Sequence, residues 1–171
     1  MRFVAGEITG ICAMTANRQR GFPVEDTAAL VLEFASGALG SFLLADCAPT
    51  PWTMEQGLGE SPEFPFSGEN DYRLIGTTGA LEFPSLQHWS QAGEAGDWTM
   101  PMLRRSHFAG RLDPYTAQLT HFADVLRGAL PSLQPVDDGA LTLVAAAAVS
   151  EAAERGCRID IRARSAAITR G

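Results

Sequence analysis

The sequence predicts an α+β fold, an open and mostly antiparallel β-sheet of about six strands with helices packed on one face. Three observations predict it. Strand-like segments fill the first hundred residues and pair through short turns. Two helical segments follow, and one short strand closes the pattern. A doubly wound parallel sheet would need strands and helices to alternate, and they do not. The chain has 171 residues, 46% of them hydrophobic, which suits one domain with a proper core.

In chain order, residues 1–6 look like the end of a helix stopped by Gly6. One helical turn does not form alone, so an element continuing upstream is expected. Residues 7–15 (EITGICAMT) read as the first strand, and 17–23 as a polar loop. Residues 27–34 (TAALVLEF) and 38–45 (ALGSFLLA) are two strands joined by Ser36-Gly37, because a tight hairpin turn needs a residue that accepts positive φ. Both faces of this hairpin are apolar. Residues 46–70 form a long loop rich in Pro and Gly, and loops of that length are often functional. A second hairpin joins 72–75 to 80–83 around Gly76-Thr77-Thr78-Gly79. A short strand is expected at 87–89, a turn at 93–97 and an edge strand at 98–102.

Asp113-Pro114 opens the first long helix, with an acidic cap and then proline at the first helical position. Leu119, Phe122, Ala123 and Leu126 give it an apolar stripe at helical spacing, and Gly128 ends it. The second helix runs from Asp137-Asp138 to Arg155, with Gly156 after it. Its Leu141, Val144, Ala145, Ala148 and Ala152 make a small-residue face suited to close packing on a sheet. Residues 157–161 (CRIDI) are the last strand. One domain over 1–161 and a frayed tail over 162–171 are expected.

Composition excludes several functions. Net charge is −7, and the 13 basic residues are all arginine, scattered apart from Arg104-Arg105 and the 155–170 tail. Nucleic acid needs clustered basic residues to neutralise phosphates, so no nucleic-acid partner is expected. No apolar run reaches the ~20 residues that span a bilayer, and no signal-peptide layout opens the chain, so no membrane partner is expected either. Cys12, Cys47 and Cys157 are far apart and odd in number, which reads as free thiols in a reducing cytoplasm.

The chemistry-bearing motifs are sparse. Gly57-Leu58-Gly59 and Gly76–Gly79 are not followed by helical patterns, so they read as turns rather than a dinucleotide cradle. His88, His107 and His121 are dispersed without metal-ligand spacing. Nucleophile motifs are absent, and Glu25-Asp26 and Asp137-Asp138 sit where turns and caps need carboxylates. The suggestive features are Trp52 and Glu55 in the long loop, and Tyr115, Gln118 and His121 at a spacing of three on a helix. Such groups, lining a cleft, suit a sugar or polyol by stacking and hydrogen bonding.

Read in succession, the phrases GEI (6–8), VEDTAALVLEFASGALGS (24–41), PWTMEQGLGESP (51–62), YRLIGTTGALEFPSLQHW (72–89), DPYTAQLTHFADVLRG (113–128) and VDDGALTLVAAAAVSEAAERG (136–156) resemble the C-terminal domain of the Gfo/Idh/MocA family of NAD(P)-dependent oxidoreductases. The resemblance implies a two-domain enzyme, with a Rossmann domain holding NAD or NADP and this domain completing the substrate site and building the oligomer. The family's catalytic lysine lies in an E-K-P motif, and a D-x-x-x-H pair often lies just before the region matched here. Neither motif is present, and the chain has no lysine at all. The resemblance therefore carries over no catalytic, cofactor-binding or metal-binding residue, and only Trp52, Glu55, Tyr115 and His121 as substrate-facing residues.

The expectation is thus the substrate-binding and oligomerisation domain of an oxidoreductase acting on a sugar, polyol or related hydroxy compound. It would not be catalytically competent alone, and would lack the N-terminal Rossmann domain that partners it in cis. The chain itself would hold no cofactor. A homodimer or higher homo-oligomer through the sheet is expected, because the two helices can cover only one face. The alternative is a non-enzymatic self-associating or ligand-binding module that reuses the same domain.

Overall fold

The computed structural model describes residues 1–92, 99–110 and 112–168. The elements in chain order are α1 (Arg2–Ala5), β1 (Ile8–Ala16), β2 (Thr27–Phe34), β3 (Leu39–Ala45), α2 (Met54–Leu58), β4 (Tyr72–Gly76), β5 (Gly79–Phe83), β6 (Gln87–Gln91), β7 (Met102–Ser106), α3 (Pro114–Leu126), α4 (Val136–Arg155), β8 (Ile159–Asp160) and α5 (Arg162–Ile168). The fold class is α+β, as expected, and every pairing among the described strands is antiparallel. The strands form two four-stranded sheets, ordered β3-β2-β1-β8 and β4-β5-β6-β7. Turn chemistry sets which neighbours pair. Which hairpins share a sheet is a non-local matter that local patterns do not encode. Contacts divide the chain into two compact units, Met1–Pro49 with Ser132–Gly171, and Thr50–Pro131.

In the first unit the β2–β3 hairpin closes as its residues demand. The Phe34 amide donates to the Ala38 carbonyl at 3.0 Å, and Gly37 turns the chain at φ 87°. The loop before β2 is held by Asp26, whose carboxylate accepts from the backbone N–H of Gln19 and Arg20 at 3.0 and 2.9 Å and from the Thr27 hydroxyl. Those donors, the Arg20 amide foremost, hold its pKa below the usual carboxylate value. This acid is structural, as its position beside a strand start suggested.

One face of the sheet carries Ile11, Leu32 and Phe34 into a core closed by α4. The helix presents Leu141, Ala145, Ala148 and Ala152, one residue per turn. Alanines bring the helix axis close to the sheet, and Ile8, Ile159 and Ile161 fill the margins. Arg2 fixes the chain start to α4, since its guanidinium donates to Glu7 and to the Asp138 carbonyl and Thr142 hydroxyl. Residues 162–168, read from the sequence as tail, form α5. Arg164 ties that helix to Glu151 of α4 at 2.7 Å, and these ion pairs are invisible to local pattern. The opposite sheet face shows Cys12, Met14, Val31, Leu39 and Leu43 to solvent.

In the second unit, the expected loop contains α2. The Thr53 side chain caps it by accepting from the Gln56 amide, and Gly59 ends it at φ 63°. Five residues offer too few turns for a periodic signal. The expected turn at 93–97 lies outside the described residues, as does Trp98 of the expected edge strand at 98–102. The strand found runs from Met102 instead, directly after Pro101, which has no N–H to give to a ladder. Asp113 caps α3 by accepting from the Tyr115 and Thr116 amides, and the Leu119, Phe122 and Leu126 stripe is exposed.

Candidate substrate cleft

In an antiparallel pair, directly opposed residues share a face. The registers Tyr72↔Phe83, Leu74↔Leu81, Leu81↔His88 and His88↔Arg105 therefore put these side chains on one face of the second sheet. Arg73, Glu82, Trp89 and Arg104 lie on the other face, with Arg73 paired to Glu82 at 3.8 Å and Arg104 5.7 Å from the Trp89 ring centre. The ladder continues past β6, where the His107 amide donates to the Leu86 carbonyl at 3.1 Å.

On the first face an open cleft of about 760 Å³ is lined by α2 and its exit (Gly57–Glu60), Phe66, the Phe83–Leu86 turn, His107, Phe108 and the start of α3 at Asp113 and Pro114. That volume lies within the ~300–1,000 Å³ range of small-molecule sites. The chain comes close because α2 has glycine where it meets the turn. A Cβ on Gly57 would stand 2.7 Å from the Glu69 carbonyl oxygen and 3.0 Å from the Pro84 ring. The turn holds a cis Phe83–Pro84 bond and Leu86 at φ 54°.

Polar groups are few and placed. Asn70 accepts from the Ser85 amide at 2.9 Å, while the buried Ser85 hydroxyl has no partner. Asp113 accepts from the Thr116 hydroxyl, which holds its carboxyl below the usual range together with the backbone donors at the cap. Next to the cleft floor, the Asp71 amide donates to the Phe83 carbonyl at 3.2 Å. Burial pushes the Asp71 pKa up, and the nearby Glu55 charge adds to the rise. Burial also raises Tyr72.

None of the four sequence-expected residues lines this cleft. Trp52 is 63% exposed and Tyr115, next to the lining Pro114, is 75% exposed. Glu55 lies in the first turn of α2, and His121 is half-buried on α3. Ser85, His107 and Asp113 were missed as site residues. Only the β6–β7 register joins His107 to Leu86, and only the fold makes the Asp113 cap a cleft wall. His88 and His107, dispersed in sequence, come together with ring centres 5.8 Å apart. Among the described residues no group of three side chains could hold a metal ion.

A dinucleotide needs a glycine-rich turn between a parallel strand and a helix N-terminus. Gly59 instead ends a helix, and Gly76 and Gly79 join two antiparallel strands. The described residues do not fit a nicotinamide dinucleotide.

Residues 1–82 match the family model described as the GFO/IDH/MocA C-terminal domain. No curated protein matches the chain. Among solved structures, aldose-aldose oxidoreductase from Caulobacter crescentus, complexed with glycerol, is 22% identical at a TM-score of 0.64, covering 93% of this chain and 43% of its own. An oxidoreductase from Agrobacterium radiobacter, in complex with NAD+, L-tartaric acid and magnesium, is 18% identical at 0.63, covering 95% and 46%. Levoglucosan dehydrogenase with NADH and levoglucosan is 15% identical at 0.63, covering 94% and 47%. This chain thus spans less than half the length of each. Residues 1–82 are thus similar to the Gfo/Idh/MocA C-terminal domain, and the chain shares the fold of part of those oxidoreductase structures.

Proposed function

We propose that this chain forms the substrate side of an NAD(P)-dependent oxidoreductase acting on a sugar, polyol or related hydroxy compound. The observation that carries the reading is the cleft on the second sheet, with its aromatic walls at Phe66, Phe83 and Phe108 and the unpartnered Ser85 hydroxyl. An apolar wall with a few placed polar groups is what orients a small hydroxylated ligand. Solved structures of the same fold include levoglucosan dehydrogenase with NADH and levoglucosan, and an oxidoreductase with NAD+ and L-tartaric acid, which supports the same class. The cofactor would supply hydride transfer, and this chain's part would be to hold the reacting carbon in place. Trp52 and Tyr115 would offer exposed rings for stacking at the cleft margin, Glu55 and His121 hydrogen bonds.

Self-association belongs to the same proposal. Met14, Val31, Leu39 and Leu43 expose one apolar sheet face, and a contiguous apolar face of this kind marks an interaction surface. A cytoplasmic setting accords with three free thiols, and no helix among the described residues is long and apolar enough to cross a membrane.

The test is a pair of titrations. Sorbitol should shift NMR signals at Ser85, Leu86 and His107, and calorimetry with NADH should give no binding tighter than millimolar. Micromolar NADH binding would overturn the division of labour, and sorbitol shifts confined to other regions would overturn the cleft.

A further inference from the structure

We infer that α3 is a docking seam for a second copy of this chain, which pairs through its own α3, antiparallel across a two-fold axis. Tyr115, Leu119, Phe122 and Leu126 follow one another at spacings of four, three and four along the helix, and each is more than half exposed. At 3.6 residues per turn they fall within about 60° of one another. The half-buried Ala117, His121 and Asp124 lie on the side away from that stripe. A stripe this narrow is the seam of a paired helix rather than the broad face that a helix lays on a sheet. The helix has 13 residues, a length at which an isolated helix is marginal in water, so covering the seam stabilises it.

Side-chain size, charge and area together name the occupant. In an antiparallel pair of copies, Tyr115 meets the partner's Leu126 and Leu119 meets the partner's Phe122, so every contact sets an aromatic ring against a leucine. Parallel copies would set ring on ring and leucine on leucine, which fills a seam less evenly. Asp113 caps the amino end of the helix. Arg127 stands at the carboxyl end, with 70% of its side chain exposed despite its 3.2 Å pair with Asp124. Antiparallel copies bring Arg127 beside the partner's Asp113 and oppose the two helix dipoles, whereas parallel copies would bring like charges together. The exposed fractions of the four side chains correspond to about 500 Å² per chain, or about 1,000 Å² in all, the lower bound for a specific interface.

This contact is separate from both surfaces described above. The apolar sheet face belongs to the unit of Met1–Pro49 and Ser132–Gly171, and α3 to the unit of Thr50–Pro131. None of the four seam residues lines the cleft. The seam therefore stands or falls independently of the proposed oxidoreductase role and of the sheet-face association.

The experiment is sedimentation equilibrium on the 171-residue chain carrying Leu43→Glu, which charges the sheet face and so isolates the seam. That chain should be monomeric at about 1 μM and dimerise with a Kd of about 10–100 μM, the strength of a small interface. Adding Phe122→Glu should weaken the dimer about tenfold or more, because the new carboxylate would be buried against leucine. Adding Arg127→Glu instead should weaken it several-fold, because the new charge faces the partner's Asp113. Phe122 and Arg127 are exposed and glutamate is a good helix former, so both variants keep the fold, which thermal melts at low concentration verify. A Leu43→Glu chain still monomeric at about 1 mM would overturn the inference and assign the stripe to a partner other than a second copy. A dimer that Phe122→Glu leaves unchanged would overturn it as well, since the association would lie elsewhere. A dimer weakened by Phe122→Glu but indifferent to Arg127→Glu would overturn the antiparallel pairing.

Discussion

Leu32 and Val31 are adjacent on β2 and test which face of the first sheet is core. Leu32 is 6% exposed and packs with Ile11, Phe34 and the α4 alanines, whereas Val31 is 47% exposed on the opposite face. Leu32→Ala removes about three methylene equivalents from the core, or ~2.4 kcal/mol at ~0.8 kcal/mol each. The cavity left behind adds to that, because α4 is held against the sheet at both ends and collapses incompletely, giving about 3 kcal/mol in all. For a chain of this length that lowers Tm by about 6–12 °C. Val31→Ala should cost less than about 1 kcal/mol at low protein concentration, where no partner covers it. Urea and thermal melts at micromolar concentration make the comparison. A Leu32→Ala cost under about 1 kcal/mol, or equal costs for the two variants, would refute the assignment of the core to the α4 side. Repeating the Val31→Ala melt at high concentration separates the interface role, since a covered Val31 becomes costly only when the chains associate.

Acid should loosen the α4–α5 junction. Arg164 and then Arg155 hold the Glu151 pKa down to about 2 from an ordinary 4.5. A depressed carboxylate contributes stability that is full above about 4.5 and is lost as pH falls toward 2. Urea melts at pH 7, 4 and 2 should show that loss, and Glu151→Gln should flatten it. Leu43→Glu places a charge on the exposed apolar sheet face. Light scattering should find the variant shifted to monomer, with stability changed by less than about 0.5 kcal/mol. Gly79→Val should cost about 1–3 kcal/mol in a urea melt, because a Cβ there runs into the Trp89 carbonyl oxygen, which the β5–β6 ladder fixes.

The candidate site was less legible than the fold. Tyr115, Gln118 and His121 made a polar face on a helix that the structure does contain, and Trp52 and Glu55 made a suggestive loop. The cleft is lined by other residues, Gly57, Ser85, His107 and Asp113 among them. Ser85 carries no sequence signal, since a lone serine after a proline is ordinary. Its hydroxyl matters only because the folded turn buries it without a partner.

Sequence alone determined whatever depends on neighbours in the chain. Ser36-Gly37 and Gly76–Gly79 set two hairpins through the φ values their turns require. Asp113-Pro114 set the start of α3, and the alanine periodicity of 141–152 set the buried face of α4. Tertiary structure decided what depends on residues meeting across the chain. It divided the strands into two sheets, folded residues 162–168 against Glu151, and left one apolar sheet face open. It also brought His88 and His107 together through the strand register. The physical reason is the same in each case: a turn or a helix period is written within a few residues, whereas register, sheet membership and ion pairing are settled by the packing energy of the folded chain.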